Sequence, residues 1–219
     1  MNGMMLTQTS ALPPPASPPP YLNYNAHISH HSAVQVRPKQ HLTNKPTFHI
    51  RRASLQDAPV IAQLGASVFA TTFGFSIPTS DLDAYLDEAY SVSAIEADIS
   101  SSTKHVIVAC APVDGHVVGF AQLTEGTTEP CIEDLDLVVE LQRLYVHPDY
   151  LGMGVGRALT KETESMAKEM GYKVLWLGVW EGNFQAQRIY EAMGFSRAGD
   201  HEFQMGRCIQ TDWIMCKNL

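Results

Sequence analysis

Residues 141–157 constrain this chain more tightly than any other stretch. They read Leu-Gln-Arg-Leu-Tyr-Val-His-Pro-Asp-Tyr-Leu-Gly-Met-Gly-Val-Gly-Arg. The apolar and β-branched start predicts a strand, which widens to residues 138–146 when Val138 and Val139 are included. Pro148 has no backbone donor and ends the ladder. Gly152, Gly154 and Gly156 leave three positions without a Cβ, so the chain can turn tightly and bring several N–H groups to one point. From Val155 onward, apolar residues at 155, 158, 159, 166, 167 and 170 carry a helical period. A helix start bears unpaired donors and a partial positive charge, so this strand–turn–helix unit suits a phosphate or pyrophosphate. The glycines alone do not decide the matter. Their G-x-G-x-G spacing is neither the dinucleotide fingerprint nor a phosphate loop, and an ordinary tight connection uses the same residues.

Composition limits the alternatives. The 219 residues suffice for one domain with a full core and an extension. No apolar run approaches the roughly 18 residues of a membrane span, and no secretory signal opens the chain. Cys110, Cys131, Cys208 and Cys216 form no C-x-x-C pair, so reduced thiols, a cytoplasmic address and no metal site are expected. Charge is uneven. Residues 1–56 hold five basic residues and no acid; the remainder carries 23 acidic and 10 basic residues, a balance of −13. That body disfavours nucleic acid and suits a small cationic partner.

Residues 1–46 hold eight of the 13 prolines and read as a disordered, locally polyproline-like extension. His27, His30 and His31 fall in it and read as part of a polar tail. The lack of acid there leaves a mitochondrial or nuclear address as the alternative. Residues 47–219 form the domain. Residues 47–52 alternate as a first strand, and Ser54 to Asp57 resembles a capping box. A helix over 58–69 places Val60, Ile61, Leu64 and Val68 on its apolar face, and 71–78 reads as a loop with exposed aromatics. Two short helices, 80–89 and 92–99, each opened by Ser or Asp, either wall a substrate pocket or simply cover the surface. Residues 104–111 and 116–123 pair through an Asp114-Gly115 turn. Five carboxylates between Glu125 and Asp136 make an acidic loop, either a solvated one or one that attracts cations. After the central strand, turn and helix come a nearly all-apolar strand over 173–180, a helix over 183–193 stopped by Gly194, and a closing hairpin, 195–205 with 211–217.

In that last helix Asn183, Ala186 and Tyr190 stand at i, i+3 and i+7 on one face. A small residue between two polar ones leaves a shallow groove, with a phenol at one end that is either a proton donor or a core aromatic at the rim. The two motifs together, Tyr150-Leu-Gly-Met-Gly-Val-Gly156 followed by Asn183-Phe-Gln-Ala186-Gln-Arg-Ile-Tyr190-Glu-Ala-Met-Gly194-Phe195, resemble the GNAT superfamily of acyl-CoA-dependent N-acetyltransferases over residues 47–217. Trp176 to Asn183, Gly199 to Gly206, Gln210-Thr-Asp212, Thr72-Phe73 and Asp83-Ala-Tyr-Leu86 look like the PaiA-type spermidine/spermine N-acetyltransferases.

The resemblance implies an α/β (α+β) fold: a mixed, mostly antiparallel sheet flanked by helices and splayed beside the central strand, with acetyl-CoA as co-substrate in the splay. It implies that the backbone of Leu144, Tyr145 and Val146 meets the pantetheine arm and polarises the acetyl carbonyl. Backbone groups of Leu151, Gly152, Met153, Gly154, Val155, Gly156 and Arg157 would hold the pyrophosphate, although the family usually opens this turn with Gln or Arg where Leu151 stands. Asn183 and Ala186 would line the channel, and Tyr190 would protonate the departing thiolate, whose ordinary pKa near 8.5 makes a nearby donor useful. On the strand, Glu140 and Gln142 read as alternating onto one face with Leu144, and Glu140 is the candidate base. Gln142 stands where PaiA-type enzymes tend to carry an acid. The expected reaction is direct acetyl transfer to a primary amine, a polyamine first; a peptide amine and a non-catalytic acyl-CoA-binding module are the alternatives. A homodimer is the open assembly state.

Overall fold

The computed structural model describes residues 47–75, 77–205 and 208–219, without the side chains of 203–208. The proline-rich segment 1–46, with His27, His30 and His31, lies outside the described residues, as does Gly206.

Seven strands make one sheet: β1 (His49–Arg52), β2 (Lys104–Cys110), β3 (Val117–Thr124), β4 (Val138–Val146), β5 (Val174–Trp180), β6 (Ser196–Met205) and β7 (Cys208–Asn218). Their order is β1-β2-β3-β4-β5-β7-β6. Every pairing is antiparallel except β4 with β5. A parallel neighbour requires a crossover, and α4 (Val155–Glu169) supplies it. The mixed, mostly antiparallel α/β sheet is thus as expected.

Helices cover both faces. On one face α1 (Ala58–Phe73), α2 (Thr79–Tyr90) and α3 (Val92–Ser100) bury Ile61, Phe69, Tyr90 and Ile95 against Val106, Val108, Phe120 and Tyr145. On the other, α4 and α5 (Phe184–Ala192) bury Val155, Leu159 and Tyr190 against Ile107, Ala121, Leu123, Val139, Leu141 and Leu177. The α4–α5 set takes one face of β3, β4 and β5, and Phe120, Tyr145 and Trp180 on the other face join the α1–α3 cluster.

The region after β1 departs from its sequence reading. Helix α1 runs on to Phe73, so residues 71–73 are helical and only part of 71–78 is loop. Phe73 is 1% exposed and its ring meets that of Phe69 at a tilt, 4.7 Å between centres, while Phe75 is exposed. One further turn brings Phe73 beneath Phe69, and the Thr71 and Thr72 hydroxyls donate to the carbonyls four residues back, so the extension hides its own polar atoms. Val60, placed on the apolar face, is exposed. Helix α2 follows Pro78 rather than a Ser or Asp cap; Ser91 does cap α3, accepting from Ala94 N. At the start of the domain the Ser54 backbone N–H donates to Asp57 Oδ2 at 2.7 Å, and Arg51 grips the same carboxylate with two bonds of 2.7 and 2.8 Å. That fork holds the Asp57 carboxyl well below the usual carboxylate range.

Candidate active site

The site begins where two strands part. Strands β4 and β5 pair only from Val138↔Val174 to Glu140↔Trp176. Beyond that point β4 continues to Val146 and β5 to Trp180, each held only on its far side, by β3 and β7. The register on β3 shows the cause. Leu123 faces Leu141, but the next residue, Gln122, faces Arg143, which leaves Gln142 as an extra residue in β4. A bulge of this kind bends and twists its strand. The facing edges of 141–146 and 177–180 are therefore free to accept an extended chain between them, as a sheet edge accepts an added strand.

The bulge also corrects the sequence reading of β4. Val139, Leu141, Leu144 and Val146 pack toward α4 and α5. Glu140 lies between Val139 and Leu141, so its side chain takes the opposite face. Arg143 and Tyr145 are there too, as Tyr90 contacts show. Gln142 joins them, bonded to Gln122 at 2.7 Å and to Thr124 at 2.9 Å. Glu140 and Gln142 thus share no face with Leu144; strict alternation fails because one residue has been inserted into it.

At the end of β4 the glycine turn supplies an anion cradle. A short 3-10 turn, Pro148–Tyr150, leads into Leu151. Gly152 and Gly154 have φ of 76° and 94°, left-handed values that a side chain resists, and a Cβ at either would meet nothing within 4 Å. Gly154 caps α4, whose first helical bond runs from Ala158 N to Gly154 O. The N–H groups of Val155, Gly156 and Arg157 precede that bond and point out of the helix. Leu151 packs against the α4–α5 core. Met153, exposed, lines a small cleft with Phe48, Val113 and Tyr150. Next to the cradle, Arg157, Phe184, Gln185, Arg188, Ile189 and Ala192 line a cleft of about 550 Å³ between α4 and α5. Two guanidinium groups beside an exposed phenyl ring suit a phosphate and a flat heterocycle. Arg188 was not among the sequence candidates; its position one turn after Phe184 on the outer face of α5 was the available signal.

Asn183, Ala186 and Tyr190 do lie together but under the surface, at 0%, 7% and 2% exposure. Asn183 Oδ1 accepts from Ala186 N at 3.1 Å and caps α5. Tyr190 meets Phe195 edge-on at 5.6 Å, in the same apolar cluster as Val146, Val155, Val179 and Ala186.

The face of the splay under α1–α3 is polar and buried. Asp98 accepts from Arg143 at 2.6 Å and from Lys104 at 2.5 Å. The Arg143 guanidinium lies 5.1 Å from the Tyr90 ring, and the Tyr90 and Tyr145 hydroxyls are 2.8 Å apart. Burial pushes the Tyr90 phenol up to about 12. Glu140 sits at the apex of the splay, 1% exposed, with Oε1 unbonded; burial pushes it up to about 8. Asp212 on β7 is equally buried, and burial pushes it up to about 7 against the pull of His201. Of the acidic loop, Glu125 is tied to His105 and Tyr172, and Glu129 to His201. Those two carboxylates serve the fold rather than a solvated patch. Asp98 and Arg143 had no sequence role, and Asp212 entered only within the PaiA-like stretch Gln210-Thr-Asp212. For Asp212 a signal existed: an acid sharing strand parity with Ile214.

The model of the acetyltransferase (GNAT) family matches residues 70–195, more than half of the chain. This chain belongs to the GNAT family of acetyltransferases. Its relatives agree. An uncharacterised N-acetyltransferase of the pepI 3′ region in Lactobacillus delbrueckii subsp. lactis is 29% identical, over 78% of this chain and 96% of its own length. An uncharacterised N-acetyltransferase of Mycobacterium tuberculosis is 31% identical, over 75% of this chain and 99% of its own. Among solved structures, the PaiA N-acetyltransferase of Thermoplasma acidophilum in complex with coenzyme A superposes with a TM-score of 0.63 at 23% identity, covering 79% of this GNAT chain and 99% of that one. At that identity the likeness speaks for the fold.

Proposed function

We propose that this acetyltransferase moves acetyl from acetyl-CoA directly to the primary amine of a small cationic acceptor, a polyamine in first place. The parting of β4 and β5 after Glu140 carries the reading. The open edge of β4 suits the amide-bearing pantetheine arm, and a free N–H on that edge would polarise the acetyl carbonyl as negative charge develops on its oxygen. The cradle from Leu151 to Arg157 suits the pyrophosphate, and the cleft of Arg157, Phe184 and Arg188 suits the nucleotide end. Asn183 holds the start of α5, and Ala186 keeps the wall low beside the arm. Tyr190 is the general acid that gives its proton to the departing sulfur.

An acyl-enzyme has little support. Cys110 is buried in the core and burial pushes the Cys216 thiol up to about 11, away from the reactive thiolate; the side chain of Cys208 lies outside the described residues. The polyamine preference rests on the balance of −13 over residues 57–219, on the buried acid Asp212, and on the fold shared with the PaiA enzyme. The deciding measurement is thiol release from acetyl-CoA with spermidine, spermine, simple monoamines and basic peptides. Release greatest with the polyamines is expected. Release only with peptides would move the assignment to a peptide N-acetyltransferase, and acetyl-CoA binding with no release would leave an acyl-CoA-binding module.

A further inference from the structure

Asp212 is a buried acid whose charge is offset only by the pull of His201 across the ladder. It is 1% exposed, and neither carboxylate oxygen has a hydrogen-bond partner. Among the described residues no lysine or arginine pairs with it. Burying an isolated charged group is costly, and proteins ordinarily pair it or satisfy it with hydrogen bonds. Its neighbours do not remove that cost. Across β6 stands His201, whose Nδ1 is 2.8 Å from Glu129 Oε1 and whose Nε2 has no partner. Burial first, and the negative charge of Glu181 and Glu129 after it, hold the proton on Asp212 against the pull of His201, while Tyr85 of α2 feels its field.

Its position matters more than its cost. Asp212 faces Trp180 across the β5–β7 ladder and lies diagonal to Gly178. A Cβ built on Gly178 would stand 3.5 Å from Asp212 Oδ2 and 3.9 Å from Asp212 Cβ, with nothing else within 4 Å. Gly178 is two residues past Trp176, the last β5 residue joined to β4. The missing side chain therefore leaves a methyl-sized gap over the half-buried Gly178, beside the splay and on the face away from α4 and α5. One end of that gap is the Asp212 carboxylate.

We propose that Asp212 receives the ammonium of the acceptor amine at the Gly178 gap and takes the proton that frees it to attack. This rests on the acetyl-transfer reading above. The ammonium gives one proton to the carboxylate. The nitrogen lone pair then forms the C–N bond to the acetyl carbon, the C–S bond breaks with its electrons going to sulfur, and sulfur takes a proton from Tyr190. The second nitrogen proton returns to Tyr190 through solvent, and Asp212 releases its own to water before the next turnover. A carboxyl group that titrates near neutrality suits a base that must both accept and release a proton. Glu140, the sequence candidate, holds its proton to higher pH and stands at the apex rather than at the gap.

The test uses the full chain with Asp212→Asn and Gly178→Ala. Calorimetry of spermidine into the CoA complex reads the anchor without turnover, and thiol release reads the reaction. Asp212→Asn is expected to weaken spermidine binding and kcat/KM at least about 30-fold, the scale of losing one partner of a buried charge pair. It should leave CoA affinity unchanged and abolish the rise of kcat/KM near pH 7. Gly178→Ala, whose methyl makes only ordinary contacts, should raise the amine KM without unfolding the protein. Unaltered spermidine binding and pH profile in Asp212→Asn would overturn the proposal, as would equal loss of CoA binding. Wild-type protein that binds spermidine through Asp212 but releases no thiol would remove the transfer reading and keep the anchor.

Discussion

Single side chains carry most of the chemistry. If Tyr190 protonates sulfur, Tyr190→Phe should lower kcat by roughly 100-fold, as loss of a general acid does, with acetyl-CoA affinity nearly unchanged. An unchanged steady-state rate would take Tyr190 out of the mechanism. Glu140 makes a separate prediction through stability. Its folded pKa, about 8, lies above the unfolded value of 4.5. The native state therefore keeps a proton that the unfolded chain releases, and stability falls as pH climbs from about 4.5 to about 8. Glu140→Gln removes that slope. The variant should melt above wild type at pH 8.5 and level with it at pH 4, by calorimetry. Asp98 makes a prediction through its ion pairs with Arg143 and Lys104. Removing it strands the buried Arg143 guanidinium, so Asp98→Ala is expected to cost about 3–5 kcal/mol in denaturant unfolding.

Elements decide how those side chains meet. The strand–turn–helix unit from β4 to α4 was legible because each part has a local cause: apolar alternation, Pro148, two left-handed glycines and a helical period. The turn itself gives a prediction. Gly154→Ala forces a Cβ into φ 94° at the start of α4, a strain of about 1–2 kcal/mol. Weaker acetyl-CoA binding by calorimetry is expected, with turnover at saturation largely kept. The bulge at Gln142 was not legible. Its register depends on β3, more than fifteen residues back in the chain, and nothing local in β4 announces an extra residue. The extension of α1 to Phe73 was missed for a related reason. Threonines weaken helix propensity, and only the core that receives Phe73 outweighs them.

At the scale of the molecule, the sheet and both helical layers lie within residues 47–219. A chain beginning at residue 47 is accordingly expected to keep the melting temperature and kcat/KM of the full protein; a fall in either would give the extension a part in the domain. The negative balance of that domain should speed encounter with cationic amines, and added salt should lower kcat/KM by screening it.

The order of elements, the two GNAT motifs and the glycine cradle follow from local pattern, because periodicity, turn residues and caps act over a few residues at a time. The polar face of the splay does not. Glu140, Arg143, Gly178 and Asp212 come from three strands. Their facing, burial and missing partners exist only once β4 parts from β5 and β7 closes behind, since desolvation and register belong to the assembled sheet and not to any one stretch of chain.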